Sequence, residues 1–419
     1  MFRYWKGEEK MAKTQENGLP FNYLSGLINA IAVFFLVWLL WYVFMNPNTV
    51  LKLYTPMYGF ALVVTFVASI LIINTIADFY PFQARESVQS RVGRGIYLTV
   101  TAIALTLFVF YAIFWGFIGK FGVAYFSPQS IIAGGGVGAE FFVARENACT
   151  AIVYYLTAFI WMTLFWKTGF GSWPWKADHR GVAAWSRFFT IFFFATLFFS
   201  ILFHPHICYL FYPAQTKAGV APWWDEFAGT GSAFFSLGLA LCTLFWLIAF
   251  DLLWENKPFA QIAGRTGGAF WKGILVFIAS SILGIVLMYI LTRVMNQVWG
   301  EPFVGGQYTD GPDFRYIHAG EIGGFFILAA FILKSYFNNF PNIGGIWQRG
   351  AIRTVLAIAG GIGFYAFYYS NLATLVLAKV PGFGQPGDTS LVWTFLFVSV
   401  IMIQMDFFEG WPLTKQPRR

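Results

Sequence analysis

Apolar runs long enough to cross a bilayer recur along the whole chain, separated by short polar intervals. About 18 or more apolar residues with few charges mark a transmembrane helix. Ten such runs occur, at about 24–45, 56–77, 96–119, 147–168, 188–211, 229–254, 269–295, 316–337, 352–377 and 389–408. The longest polar interval, 120–145, leaves no room for a soluble domain. The pattern predicts an all-α polytopic membrane protein of about ten transmembrane helices. It divides into an N-terminal segment 1–23, a transmembrane domain 24–413 and a tail 414–419. The first run is too long for a signal-peptide core and no small-residue cleavage site follows, so it is expected to stay as a helix. Met11 is an alternative start, which makes residues 1–10 dispensable in expectation.

A second pattern overlies the first. The even-numbered runs end in "ADFYPF" (77–82), "FGSWPW" (170–175), "WENKPF" (254–259), "FNNFPN" (337–342) and "FEGWPL" (408–413). Aligned on Pro81, Pro174, Pro258, Pro341 and Pro412, four of the five carry an aromatic four positions earlier. Three carry a carboxylate three positions earlier: Asp78, Glu255 and Glu409. A proline just past a helix end stops the helix, and aromatics suit the headgroup level. The recurrence predicts five helical hairpins inserted in the same orientation, at about 24–82, 94–175, 184–259, 268–342 and 351–413. Such a series reads as an internal repeat, the alternative being a shared stop-and-anchor grammar without duplication.

Charge then orients the chain. Of 27 Lys and Arg residues, 20 fall in the N-terminal segment, the tail and the intervals on their side of ten crossings, and 7 fall on the other side. The positive-inside rule places both termini in the cytoplasm, with a bacterial inner (plasma) membrane as the expected location. Composition agrees with membrane residence, at 58% hydrophobic and 11% charged. A net charge of +8 spread over short loops forms no basic face, so nucleic acid is not an expected partner. The expected partners are the lipid bilayer and other membrane or extracytoplasmic subunits. Three cysteines allow at most one bridge, with Cys149 and Cys208 as the pair in an oxidising compartment.

Candidate chemistry gathers at the two ends of the spans. At the cytoplasmic ends, Asp78, Asp251, Glu255, Asp406 and Glu409 face an unfavourable helix dipole and need basic partners. They read either as an ion-pair ring locking the hairpins or as a gate or cation relay. At the opposite ends lie His204, His206, His318 and Glu321. His318 and Glu321 are three apart and share a helix face. Three histidines and a carboxylate are a donor set suited to Zn or Cu, set against histidines that merely satisfy exposed carbonyls. Carboxylates there, Glu140 and Glu146 among them, are expected to cap helix N-termini.

The spans lack Walker, HExxH and Cys-cluster motifs, and no histidine sits near mid-span to ligate haem. The first functional reading is a transporter or channel for a small, neutral or weakly polar solute. The second is a non-catalytic subunit that anchors extracytoplasmic, pigment- or redox-carrying partners in a larger complex. The third is a membrane metalloenzyme using the outer-face histidines; catalysis is the lesser expectation.

Overall fold

The structure is a computed structural model. It describes residues 23–46, 56–80, 88–117, 140–171, 173–175, 179–204, 233–266, 268–299, 314–378 and 390–411, with a few single positions between them. Among the described residues every regular element is helical, and ten helices are long and apolar enough to span a membrane. We number them α1 (Leu24–Met45), α2 (Met57–Ile76), α3 (Arg91–Gly116), α4 (Glu140–Phe170), α5 (Arg180–Phe203), α6 (Ala233–Leu253), α7 (Ala269–Val298), α8 (Arg315–Phe337), α9 (Ile346–Tyr368) and α10 (Ser390–Phe407). The count is the one hydropathy predicts. Several ends differ, because polar residues continue a helix that a hydropathy window cuts short: α4 starts at Glu140 and α9 at Ile346. Lys257–Thr266 adds a short helix between α6 and α7, and Asn371–Leu377 another after α9.

The helices fall into two sets by burial. The most apolar stretches of α2, α4, α6, α8 and α10 are 72–94% buried, whereas those of α1, α3, α5, α7 and α9 are only 17–28% buried. Their apolarity does not separate them, since lipid and protein interior are equally good solvents for such residues. Packing does. The even helices contact one another in the order α2–α4–α6–α8–α10, and α10 returns to α2. They form a closed inner ring, with Phe245, Phe325, Phe326, Phe397 and Trp393 among its fully buried side chains.

Each odd helix lies outside this ring against two inner helices. α3 packs on α2 and α10, α5 on α4 and the last turn of α2, and α7 on α6 and the last turn of α4. α9 packs on α8 and the last turn of α6, and α1 on α10 and α8. Every outer helix thus contacts the inner helix before it and the inner helix one place further back around the ring. α1 fits the same rule if α10 is counted as its predecessor. The hairpins expected from the sequence (α1 with α2, α3 with α4 and so on) are not the pairs that pack most extensively. Among helices adjacent in the chain, those pairs are α2 with α3, α4 with α5, α6 with α7 and α8 with α9, each joined by a segment that carries one of the motif prolines.

Small residues set the closest approaches. Gly238 on α6 sits against the backbone of Tyr316, and Gly320 on α8 has the Gly238 Cα 3.0 Å from where its own Cβ would be. Gly95, Gly273 and Gly350, near the starts of α3, α7 and α9, receive the rings of Phe408, Phe170 and Trp254. Those three rings are the aromatics four positions before Pro412, Pro174 and Pro258. The motif aromatic is therefore a knob, and its hole is a glycine on the outer helix that follows one inner helix later.

Candidate functional site

Four of the five helix ends before the motif prolines carry a consecutive pair of positive-φ residues, and the fifth, at Gly171, has positive φ with a different ψ (−126°). The residue three before the proline has positive φ in each: Asp78 (49°), Gly171 (64°), Glu255 (54°), Asn338 (48°) and Glu409 (52°). The next residue is also positive at Phe79, Asn256, Asn339 and Gly410. At Ala77, Trp254 and Phe408 the last amide reaches back five residues, to Ile72, Ala249 and Ile403 (2.8, 3.0 and 3.1 Å). Two residues on, the amides of Phe79, Asn256 and Gly410 reach back six, to Ile73, Phe250 and Gln404. A left-handed pair that returns amides to otherwise orphaned carbonyls is the usual way to end a helix. Gly and Asn tolerate that conformation best, and Asp next. It also removes the dipole conflict raised by the sequence: Asp78, Glu255 and Glu409 lie beyond the helix end and turn toward the neighbouring helix.

Four of the five carboxylates singled out at this end bond to a side chain on another helix, and the fifth, Asp78, lies near a cation of one. Glu409 pairs with Arg91 and Arg94 of α3 (3.2 and 2.5 Å), and Glu255 with Arg353 of α9 (3.2 Å). Asp78 lies within electrostatic reach of Arg187 of α5, which donates to the Thr75 carbonyl at 3.4 Å. Asp251 pairs with Lys167 of α4 (2.8 Å), and Asp406 accepts from Asn74 of α2 (2.7 Å). Asn339 donates to the Leu252 carbonyl (2.7 Å), while Tyr336 donates to Gln404 (2.7 Å) and Gln404 to Asn29 of α1 (3.2 Å). The result is a polar belt at the proline-turn end that ties inner helices to one another and to the outer set. Arg353 and Glu255 form its most buried ion pair. Burial opposes ionisation of Glu255, but a hydrogen bond from Lys257 and the charges of Lys257, Lys334 and Arg353 outweigh that and hold its pKa down at about 2.

The other end of the bundle carries a different arrangement. His318 and Glu321 face each other on the second turn of α8, with Nδ1 and Oε2 2.7 Å apart and side chains 7% and 5% exposed. His318 Nε2 lies 3.1 Å from the Tyr365 hydroxyl on α9. The rings of Tyr365 and Tyr369 stack at a tilt 4.7 Å apart, and Tyr369 also meets His318 edge-on. Tyr369, just past α9, has its hydroxyl pushed well above the ordinary range by burial, then by the nearby Glu321 carboxylate. Arg315, one turn before His318, is 7% exposed and donates to Asn296 of α7. The spacing of His318 and Glu321 foretold their pairing. Nothing in the sequence singled out Tyr365 or Tyr369, which reach the pair only because α9 packs on α8.

The four residues offered as metal donors do not converge. Among the described residues no group of three or more His, Cys, Asp and Glu side chains is placed to hold a metal ion. His204 sits just past α5 with its ring 5.8 Å from that of Phe199, and burial lowers its pKa. His206 is buried nearby, while His318 uses its ring nitrogens on Glu321 and Tyr365. Cys149 and Cys242 are buried free thiols, and Cys208 lies outside the described residues. The capping expectation holds in altered form: Glu146 accepts from the Met57 amide at the start of α2 (3.2 Å), and Glu140 from Gly138 (2.7 Å).

No family model, curated protein or solved structure matches this chain.

Proposed function

We propose that this protein is a membrane transport protein for a small, neutral or weakly polar solute, built from five repeats of an inner helix, a proline turn and an outer helix. The observation that supports this best is the closed inner ring. Five helices each pack on two inner neighbours and are screened from lipid by five others, the arrangement that isolates a central axis from the bilayer. Parallel repeats of this kind are known from transporter folds, where the site lies between repeats. Buried groups on the inner helices are mostly hydroxyls. Thr65 and Ser69 on α2 link to Thr106 of α3, Thr163 lies on α4, and Thr243 on α6 accepts from Trp161 (2.9 Å). Hydroxyls suit an uncharged solute, and four of the five carboxylates of the belt are already committed to partners.

The duplication is supported by the positive-φ pair at four of the five helix ends, the glycine holes and the neighbour rule that α1 obeys with α10 as its predecessor. The Lys and Arg distribution supports cytoplasmic termini in a bacterial inner membrane.

The test is osmotic: purified protein is reconstituted into liposomes and exposed in turn to gradients of glycerol, urea and acetamide. Stopped-flow light scattering should show faster entry of at least one solute than in protein-free liposomes. Entry rates equal to the empty vesicles for all three, with a stoichiometric partner retained in native purification, would replace this reading with that of an anchoring subunit.

A further inference from the structure

We propose that Glu321, His318 and Tyr365 form a site that takes up and releases one proton. Ionisable groups buried inside a membrane span are costly and persist where they carry protons or ions. Here two such groups face each other at 2.7 Å, each almost wholly buried, and a phenol closes the chain on the far side at 3.1 Å. The pair is set apart from the polar belt, whose carboxylates have Arg, Lys or Asn partners between helices. It is also the described ion pair whose charge state hangs on a histidine, the side chain that titrates nearest neutrality.

The bookkeeping involves one proton and no redox change. Without it, Glu321 is a carboxylate, neutral His318 donates Nδ1–H to Glu321, and Tyr365 donates its hydroxyl to Nε2. With it, the imidazolium donates from both nitrogens, to Glu321 and to the Tyr365 oxygen, and the phenolic hydrogen swings away. The pair passes from a net single negative charge to neutral while all three heavy atoms keep their places. Around it stand Arg315 on α8, Tyr368 and Tyr369 at the end of α9, Cys242 on α6, donating to the Ala319 carbonyl at 3.8 Å, and the buried Ser390 on α10, near Tyr369.

Within the transport reading, this proton is the coupling ion, and the inference rests on that reading for its role but not for its detection. The experiment is a pH titration of the full-length protein in lipid, followed by infrared difference spectroscopy of carboxyl bands and by ¹⁵N-histidine resonances, over about pH 5 to 9. The expected result is one titration of a histidine signal that carries a shift of the carboxylate bands with it. In Glu321→Gln, which keeps a hydrogen-bond acceptor for His318, the carboxylate component is lost and the histidine midpoint falls, and in Tyr365→Phe the midpoint moves by roughly half a unit or more. Tyr365→Phe removes a single oxygen and serves if Glu321→Gln does not fold. A flat response across the range, or a titration unchanged in both variants, would reduce the cluster to a structural hydrogen-bond chain. Titration without solute flux would leave the proton site standing and the transport reading overturned; flux without titration would do the reverse.

Discussion

Gly238→Val is expected to lose the native bundle. A β-carbon at this position would overlap the carbonyl oxygen and carbon of Tyr316. Those are backbone atoms of a neighbouring helix, so no rotamer change relieves the clash, and α6 and α8 must separate. Overpacking of this kind typically costs about 1–3 kcal/mol even where side chains can give way. Close backbone approach through small residues is also a main source of helix association in lipid, so the separation forfeits packing along the whole crossing. The control lies two turns along the same interface. At Gly323 an added β-carbon would rest 3.7 Å from the Leu241 oxygen, an ordinary contact. Thermal unfolding in detergent, read by size-exclusion chromatography after heating, should place Gly323→Ala close to the unaltered protein and Gly238→Val far below it. Equal midpoints for the two would show that α6 and α8 do not cross here.

Arg353→Met should be the most damaging single change in the polar belt. Arg353 is 3% exposed; it donates to the Leu253 carbonyl at 2.8 Å and to Glu255 at 3.2 Å, and also to Asn342. Methionine keeps the apolar stem but strands a carbonyl and weakens the field on a half-buried carboxylate. Leaving buried groups without partners costs about 1–3 kcal/mol each, so a loss of roughly 2–4 kcal/mol is expected. Glu255→Gln added to Arg353→Met should recover part of it, since the stranded charge is then gone. The pH profile supplies the sign. A carboxylate held at about 2 stabilises the fold fully above its ordinary value, roughly 4.3, and that contribution is lost as pH falls toward 2. Arg353→Met should flatten this acid limb without abolishing it, because Lys257 and Lys334 still face Glu255. Unfolding midpoints measured across that range decide the matter, and an unchanged limb would detach Arg353 from Glu255.

The spans were legible because a bilayer imposes length and apolarity on each helix separately. Their neighbours were not, because Phe193 facing lipid and Phe397 inside the ring look alike to hydropathy, yet one is 62% and the other 1% exposed. The proline motif announced a recurring helix stop but not its partner. Phe408 finds its hole at Gly95 and Trp254 at Gly350, glycines on a helix that the motif does not mark. The carboxylates at 78, 255 and 409 showed that basic partners were needed; the left-handed backbone that aims them shows only in three dimensions. His318 and Glu321 met because i and i+3 share a helix face, a local rule. Tyr365, 47 residues from His318, joined them through packing alone. His204 and His206 were grouped with them by residue type, and type does not bring separate helices together.

The closed ring is the claim from which the rest descends, and disulfide trapping tests it. In a chain with Cys149→Ala, Cys208→Ala and Cys242→Ala, cysteines replace Asn74 and Asp406, whose side chains hydrogen-bond at 2.7 Å across α2 and α10. A protease site in the 300–313 segment separates the first seven spans from the last three. Glu255→Cys with Asn339→Cys, across the α6–α8 contact, is the positive control, since that contact exists in an open row of helices as well as in a ring. After oxidation in membranes and cleavage, both pairs should hold the two fragments together on a non-reducing gel. Retention by the control pair and complete separation with the 74–406 pair would mean an open array, and the ring would be wrong.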